Sequence, residues 1–273
     1  MVIPRRAPGP TTHRMLSHHS RIDWHDHDDH QLLYLHTGVL SVTTPRGVVV
    51  LPQGHAAWLP AGLPHTHCAH GSTEFRSVLF PATTDQPLDL AQVTVLATSG
   101  LLREAVLALS SPNPSTTATP AQSTGLSTRR SAARTQRLRQ LVLDELQPAH
   151  TAVLSLPEPY DDRLRSLAKI FADDPAESAS LPELAARFGT SERTLSRLLR
   201  SELGMTFPQW RDRLRIIEAA INLGQGHTIA AIAARVGYSS SSALITAFRH
   251  AFGITPGAVQ NARPSHEPTS TNP

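Results

Sequence analysis

The stretch LPELAARFGTSERTLSRLLRSELGMTFPQWRDRLRIIEAAINLGQGHTIAAIAARVGYSSSSALITAFRHAFGITPGAV, residues 181–259, decides the fold because it states one pattern twice. Leu181, Leu184, Ala185 and Phe188 fall at i, i+3, i+4 and i+7, and Ile229, Ile232, Ala233 and Val236 repeat the spacing. Such a stripe is the buried face of a helix. Gly189 and Gly237 then close the two helices, supplying the residue type that can turn left-handed at a sharp corner. Ser191 and Ser240 follow as N-caps. The next helices bury Leu195, Leu199 and Leu203 in the first copy and Leu244, Phe248 and Phe252 in the second, and end at Gly204 and Gly253. The offset between copies is 48 residues before the corner and 49 after it, so the second turn carries one extra residue. Two helix-turn-helix units are therefore predicted. Phe207, Trp210, Leu214, Ile217 and Ile221 make a stripe on a long helix between them that packs against both and sets their separation.

In such a unit the first helix and corner hold the second helix clear of the body, so its polar face can enter a major groove about 12 Å wide. In the first unit that face offers Ser191, Glu192, Arg193, Ser196, Arg197 and Arg200. Arginine forks onto guanine or pairs with phosphate, and Glu192 near the helix start can accept from cytosine. The second unit offers Ser240, Ser241, Ser242, Thr246 and Arg249, mostly hydroxyls that bond phosphates and bases alike. The first unit is expected to read sequence and the second to position. One such hairpin is imitated by ordinary helical cores; two copies on a stiff helix are imitated far less readily. Charge agrees, with nine arginines against five acidic residues from Leu181 to Ala262, and three against seven from Arg21 to Leu90.

Residues 181–259 resemble the DNA-binding domain of the AraC/XylS family of bacterial regulators, most specifically in GYSSSSALITAFRHAFGITP. The resemblance implies a transcription factor that reads two successive major grooves of double-stranded DNA, forms a homodimer through its N-terminal half, and meets RNA polymerase if it activates. Leu244 stands where the family usually has phenylalanine, His250 where arginine is frequent, and Ala258-Val259 where an Arg-Tyr-like ending is common. The last two departures weaken the expected grip of the second unit.

Upstream, LLYLHTG, VLSVTT, GVVVL, AAWLP and EFRSVLF read as short strands separated by TPRG, PQGH and PAGLPH, turn chemistry that suggests a small all-β barrel. His25, His27, Gln31 and Gly38 reproduce the spacing of the first cupin motif, with Gln31 in the glutamate place, and Gly54, Pro60, Gly62 and His65 reproduce the second. This resemblance implies that His25, His27, Gln31 and His65 point into one barrel mouth. Three imidazoles and an amide oxygen suit a divalent ion such as Zn, Ni, Fe or Mn. The competing readings are an organic-ligand pocket without metal and simple solvation of the HDHDDH run. His30, His36, His67 and His70 are expected to face outward or hydrogen-bond locally, and Cys68 to be a small buried side chain.

The chain of 273 residues is long enough for two cores. Its single cysteine fits a reducing cytoplasm, and no apolar run reaches the roughly 20 residues of a membrane helix. The expected order is a disordered start at 1–20, a cupin-like sensory barrel at 21–97, and a helical connector at 98–175 with a flexible linker at 110–132. A DNA-binding domain at 176–260 and a disordered tail at 261–273 complete it. The whole reads as a one-component regulator that is not an enzyme, its barrel sensing a metal ion or small molecule. The alternative is a metal-dependent cupin enzyme with a helical appendage. No carboxylate fills the glutamate slot, although Asp26, Asp28 and Asp29 are close.

Overall fold

The computed structural model describes residues 11–84, 92–96, 98–111, 125–146 and 155–261. Eight antiparallel strands among them form one sheet: β1 (Thr11–Leu16), β2 (Arg21–His25), β3 (His30–Thr44), β4 (Gly47–Pro52), β5 (Ala56–Leu59), β6 (His65–Phe80), β7 (Thr94–Leu96) and β8 (Ser155–Pro157). The long strands β3 and β6 are its spine, paired from His30↔Phe80 to Thr43↔Thr66. Where two strands were expected around Gly38 there is one. Gly38 takes φ +85°, the register shifts beside it, and a left-handed glycine bends the ladder without ending it. The bend lets the first half of β3 pair with β5 and the second half with β4.

Order begins earlier than composition suggests. Residues 11–16, placed in the disordered start, form β1 against β6, while residues 1–10 lie outside the described ones. Ser155–Pro157, placed in the helical connector, instead adds β8 to the edge of β4. Strand alternation sorts β3 into two faces. Leu32 and Tyr34 point to a layer formed by helices α1 (Gly100–Ser110) and α2 (Gly125–Asp144), with Leu102, Val106, Val142 and Leu146 in the same core. Gln31 and Leu33 take the other side. The linker expected at 110–132 gives way to helix from Gly125, and residues 112–124 lie outside the described ones.

The remaining helices are α3 (Asp162–Asp173), α4 (Leu181–Arg187), α5 (Glu192–Leu203), α6 (Phe207–Gln225), α7 (Ile229–Arg235), α8 (Ser241–Phe252) and α9 (Pro256–Asn261). The corners follow the sequence reading: Gly189 has φ +60° and Gly237 φ +80°, and the Ser191 and Ser240 side chains accept from Thr194 N–H and Ala243 N–H. In the connecting helix α6, Phe207 and Trp210 join the core of the first unit, whereas Ile216, Ile217, Ala220 and Leu223 join that of the second.

The two expected cores are not separate. Leu244, Phe248 and Phe252 of the second unit share one continuous cluster with Val39, Val42 and Val50 of the barrel. Backbone seals the junction: Gly224 of α6 lies against the His70 carbonyl and Gly71 of β6. Neutral His55 donates from Nε2 to the Phe252 carbonyl at 2.9 Å, and Gln53 donates to the Ala258 carbonyl at 2.7 Å.

This junction should make the fold sensitive to acid. Burial first, then the positive charge of His19, His18 and Arg21, holds His70 at about 4, and burial also lowers His55. An unfolded histidine titrates near 6.5, so as pH falls below that value the unfolded chain takes up protons that the folded chain refuses. Stability is thus full above pH 6.5 and declines toward pH 4, with His70 alone contributing about 3 kcal/mol of the loss. Urea unfolding at pH 7.5 and pH 4.5 should show a smaller difference for His70→Gln than for wild type; equal differences would contradict this.

Candidate nucleic-acid interface and effector site

Leu195, Leu199 and Leu203 are buried on one side of α5, which leaves Ser191, Glu192, Arg193, Arg197 and Arg200 exposed and Ser196 half-buried on the other. Neighbouring arginines are committed, Arg187 to Glu177 at 2.8 Å and Arg163 to Asp161 at 2.7 Å. Arg193, Arg197 and Arg200 make no ion pair among the described residues, so their charge remains available to a polyanion. On α8, Ser240, Ser242, Thr246 and Arg249 are exposed and Ser241 half-buried, opposite Leu244, Phe248 and Phe252. Ser191 and Ser240 spend one acceptor on their caps; the Ser240 hydroxyl proton can still reach a phosphate, while Ser191 Oγ also lies 2.9 Å from Thr194 Oγ1.

Two features hold these helices in fixed relation. Arg215 of α6 donates from Nε to the Pro175 carbonyl at 3.2 Å and from Nη2 to that of Glu177 at 3.1 Å, tying the chain before the first unit to the helix between the units. A Cβ on Gly237, the corner of the second unit, would meet Arg215 Nη2 at 2.9 Å and Ala176 Cα at 3.0 Å.

Inside the barrel, the four residues singled out by motif spacing meet. His25 ends β2, His27 sits in the following turn, Gln31 lies on β3 and His65 opens β6, and all four are buried. Ring centroids are 4.3 Å apart for His25 and His65, 5.1 Å for His27 and His65, and 6.2 Å for His25 and His27. The three imidazoles are held alike, each donating from Nδ1 to a backbone carbonyl: His25 to Asp23 at 2.8 Å, His27 to Asp29 at 2.5 Å and His65 to Leu63 at 2.8 Å. For His65 that fixes the tautomer and leaves a lone pair on Nε2. His27 Nε2 stands 3.1 Å from Gln31 Oε1, Gln31 donates to Ser77 Oγ at 2.7 Å, and His65 Nε2 has no hydrogen-bond partner. Burial, with smaller contributions from His25 and His27, pushes His65 down to about 3, so it is neutral at physiological pH.

Of the other histidines, His30 and His70 are buried rather than outward-facing but do bond locally, His30 accepting from Ala61 N–H and His70 meeting Ser41 Oγ. His36 is half-buried. His67 reverses the expectation: it is 1% exposed, its ring is 5.0 Å from that of His65, and neither nitrogen has a partner. The signal was available, since residues 65 and 67 of one strand share a face. Cys68, next to His67, is half-buried.

Known proteins agree with both halves. Residues 184–262 match the helix-turn-helix domain and residues 11–146 match the AraC-like ligand binding domain. The chain is 29% identical over 250 residues to the transcriptional regulator NimR of Escherichia coli K12, covering 91% of this chain and 86% of NimR. It is 36% identical over 100 residues to the regulator RipA of Corynebacterium glutamicum, spanning 37% of this chain and 30% of RipA. To the activator RhaS of Escherichia fergusonii it is 33% identical over 113 residues, spanning 41% of each. No helix among the described residues is long and apolar enough to cross a membrane. With a ligand-binding barrel and a pair of helix-turn-helix units both matched, the chain belongs to the AraC/XylS family of DNA-binding transcriptional regulators.

Proposed function

We propose that this regulator senses a divalent metal ion held by His25, His27, Gln31 and His65, and that occupancy is reported on DNA through the junction between barrel and second unit. The observation that carries the proposal is size. The cavity that His25, His27, Gln31 and His67 line, with Arg14 and Thr12 at its wall and His65 just outside it, has a volume of about 30 Å³, room for an ion or a water. An organic effector of ordinary size needs roughly 300–1,000 Å³. Donor chemistry supports it: an imidazole whose Nδ1–H is fixed by a carbonyl is the usual outer-shell arrangement of a metal-bound histidine. His27 Nε2 and Gln31 Oε1, 3.1 Å apart and hydrogen-bonded when the ring donates, also have the spacing of neighbouring ligands on one ion once that proton is lost. Among the described residues no three His, Cys, Asp or Glu side chains form a group that could hold a metal ion, so the rings would have to turn to close on one.

When bound, the ion would supply a fixed positive charge and a common anchor for β2, β3 and β6. Strand β6 carries His65 at one end and, five and six residues on, His70 and Gly71 against α6. A ligand that draws on the end of the strand acts on the seat of the second unit five and six residues along it. On this reading, and as the family resemblance implies, the protein is a regulator and not an enzyme, acting in the cytoplasm as a homodimer and engaging RNA polymerase where it activates.

Purified without chelator, the protein should carry close to one divalent ion per chain by elemental analysis, and His65→Ala should carry none. Free metal at 100 times its Kd should stabilise the wild type by about 2.7 kcal/mol. Chelation should change affinity for operator DNA. A wild type that neither contains nor is stabilised by Zn, Ni, Mn or Fe(II) would end the metal reading and leave the DNA-binding assignment intact.

A further inference from the structure

A cleft of about 480 Å³ opens between the two helix-turn-helix units. Both units and the helix between them contribute to it: Gly204 ends α5 and Met205 follows, Asp212, Arg213 and Ile216 lie on α6, and Ala247, His250 and Ala251 lie on α8. Its apolar lining includes Met205, Ile216 and Ala251, all buried. Two polar groups in the lining have unmet demands. The Tyr238 hydroxyl, in the corner of the second unit, is buried without a hydrogen-bond partner, and a buried donor left unpaired is costly. Half-buried Arg213 gives one N–H to the Ser155 carbonyl at 3.1 Å and makes no ion pair among the described residues, although a guanidinium has five N–H groups. The cleft falls within the roughly 300–1,000 Å³ of organic-ligand sites, a size that the barrel cavity does not reach.

We propose that this cleft is a second effector site, taking an aromatic monocarboxylate whose carboxylate meets Arg213 and the Tyr238 hydroxyl and whose ring covers Met205, Ile216 and Ala251. A guanidinium matches the planar carboxylate with two parallel N–H groups. Asp212 is exposed in the same lining, so the cleft accepts a single negative charge and disfavours a dianion such as a phosphate ester. Because the end of α5 and one side of α8 both line the cleft, an occupant bridges the two reading helices and biases their spacing. His250 also borders the depression lined by Thr246 and Arg249, which belong to the DNA-reading face. Ligand and DNA must then change each other's affinity by one common factor. The inference goes beyond the barrel and does not depend on an ion there.

The test titrates full-length protein by calorimetry with indole-3-acetate and phenylacetate, and with their amides as uncharged controls, in the absence and presence of operator DNA. The acids should bind and the amides should not. Tyr238→Phe keeps the ring and removes only the unpaired hydroxyl, so it should weaken the acids by about tenfold, the size of one hydrogen bond to a charged group, without lowering the thermal stability of the free protein. Arg213→Gln should abolish binding. Asp212→Asn should strengthen it by about threefold, as expected for removing an exposed like charge. Operator DNA should shift the affinity for the acids, and each acid the affinity for DNA, by the same factor. The Tyr238→Phe result decides the matter even if Arg213→Gln, which also loses its bond to Ser155, fails to fold. Equal binding of acid and amide, a Tyr238→Phe protein that binds as wild type does, or no binding of either acid at millimolar concentration would overturn the site, and each would leave the metal reading of the barrel untouched.

Discussion

Gly224→Ala is expected to destabilise the protein and loosen the second helix-turn-helix unit from the barrel. In an exposed helix interior this change stabilises by about 1 kcal/mol, because alanine loses less backbone freedom on folding than glycine. Here the sign reverses. A Cβ at residue 224 would lie 2.2 Å from the His70 carbonyl oxygen and 2.9 Å from Val39 Cβ, and one at residue 71 would lie 1.7 Å from the Gly224 oxygen. These are mostly backbone obstacles, which no rotamer change relieves, so α6 must lift from β6. Overpacking of this kind costs about 1–3 kcal/mol, and Gly224→Val should cost more. Chemical denaturation gives the first readout. The second is the effector response: if barrel and reader communicate through this junction, metal or chelator should shift DNA affinity less in the variant than in wild type. A Gly224→Ala protein more stable than wild type would show that the close approach is absent in solution.

Replacing Arg193, Arg197 and Arg200 together with alanine should remove most specific DNA binding. Exposed and without ion pairs on α5, these side chains can neutralise phosphates or read bases. Each phosphate that the variant no longer neutralises should flatten the log–log dependence of affinity on salt by about 0.9, and Arg197→Ala alone should cost about 1–3 kcal/mol on the preferred site with relaxed preference there. Alanine at Ser240, Ser241 and Ser242 should lower affinity with little change of preference, since hydroxyls on phosphate carry no sequence information. Selection from random DNA checks the pair. If the serine variant loses its consensus and the arginine variant keeps it, the roles of the two units are exchanged.

Much of this was legible in the chain because it is local. Ser191 and Ser240 cap their helices through their own side chains, and Gly189, Gly204, Gly237 and Gly253 turn left-handed at the corners. Capping and chain reversal depend on residues three or four apart, so a sequence reads them directly. The pocket residues came from motif spacing, which records how far apart ligands lie on neighbouring strands. His67 escaped because its motif has no place for it, although its parity with His65 marks the same face. The strand break expected at Gly38 failed for a related reason: glycine with φ +85° serves a turn or a bulge equally well, and only the partner strand, continuous through β6, selects the bulge.

By itself the sequence determined the two helix-turn-helix units, the exposed arginine face of the first, the β character of the N-terminal half and three of the histidines of its interior, His25, His27 and His65. Periodicity and residue chemistry are properties of short segments and persist whatever those segments pack against. Only the tertiary structure decided that Thr11–Leu16 and Ser155–Pro157 complete the sheet, and that the cavity beside His25 and His27 is only about 30 Å³ in volume. It also decided that the second unit shares its core with the barrel while the first does not. That last outcome turns on Gly71 and Gly224, 153 positions apart, whose missing side chains let two backbones touch. An absent Cβ leaves no pattern in the hydrophobic periodicity, and its consequence exists only where the second backbone arrives.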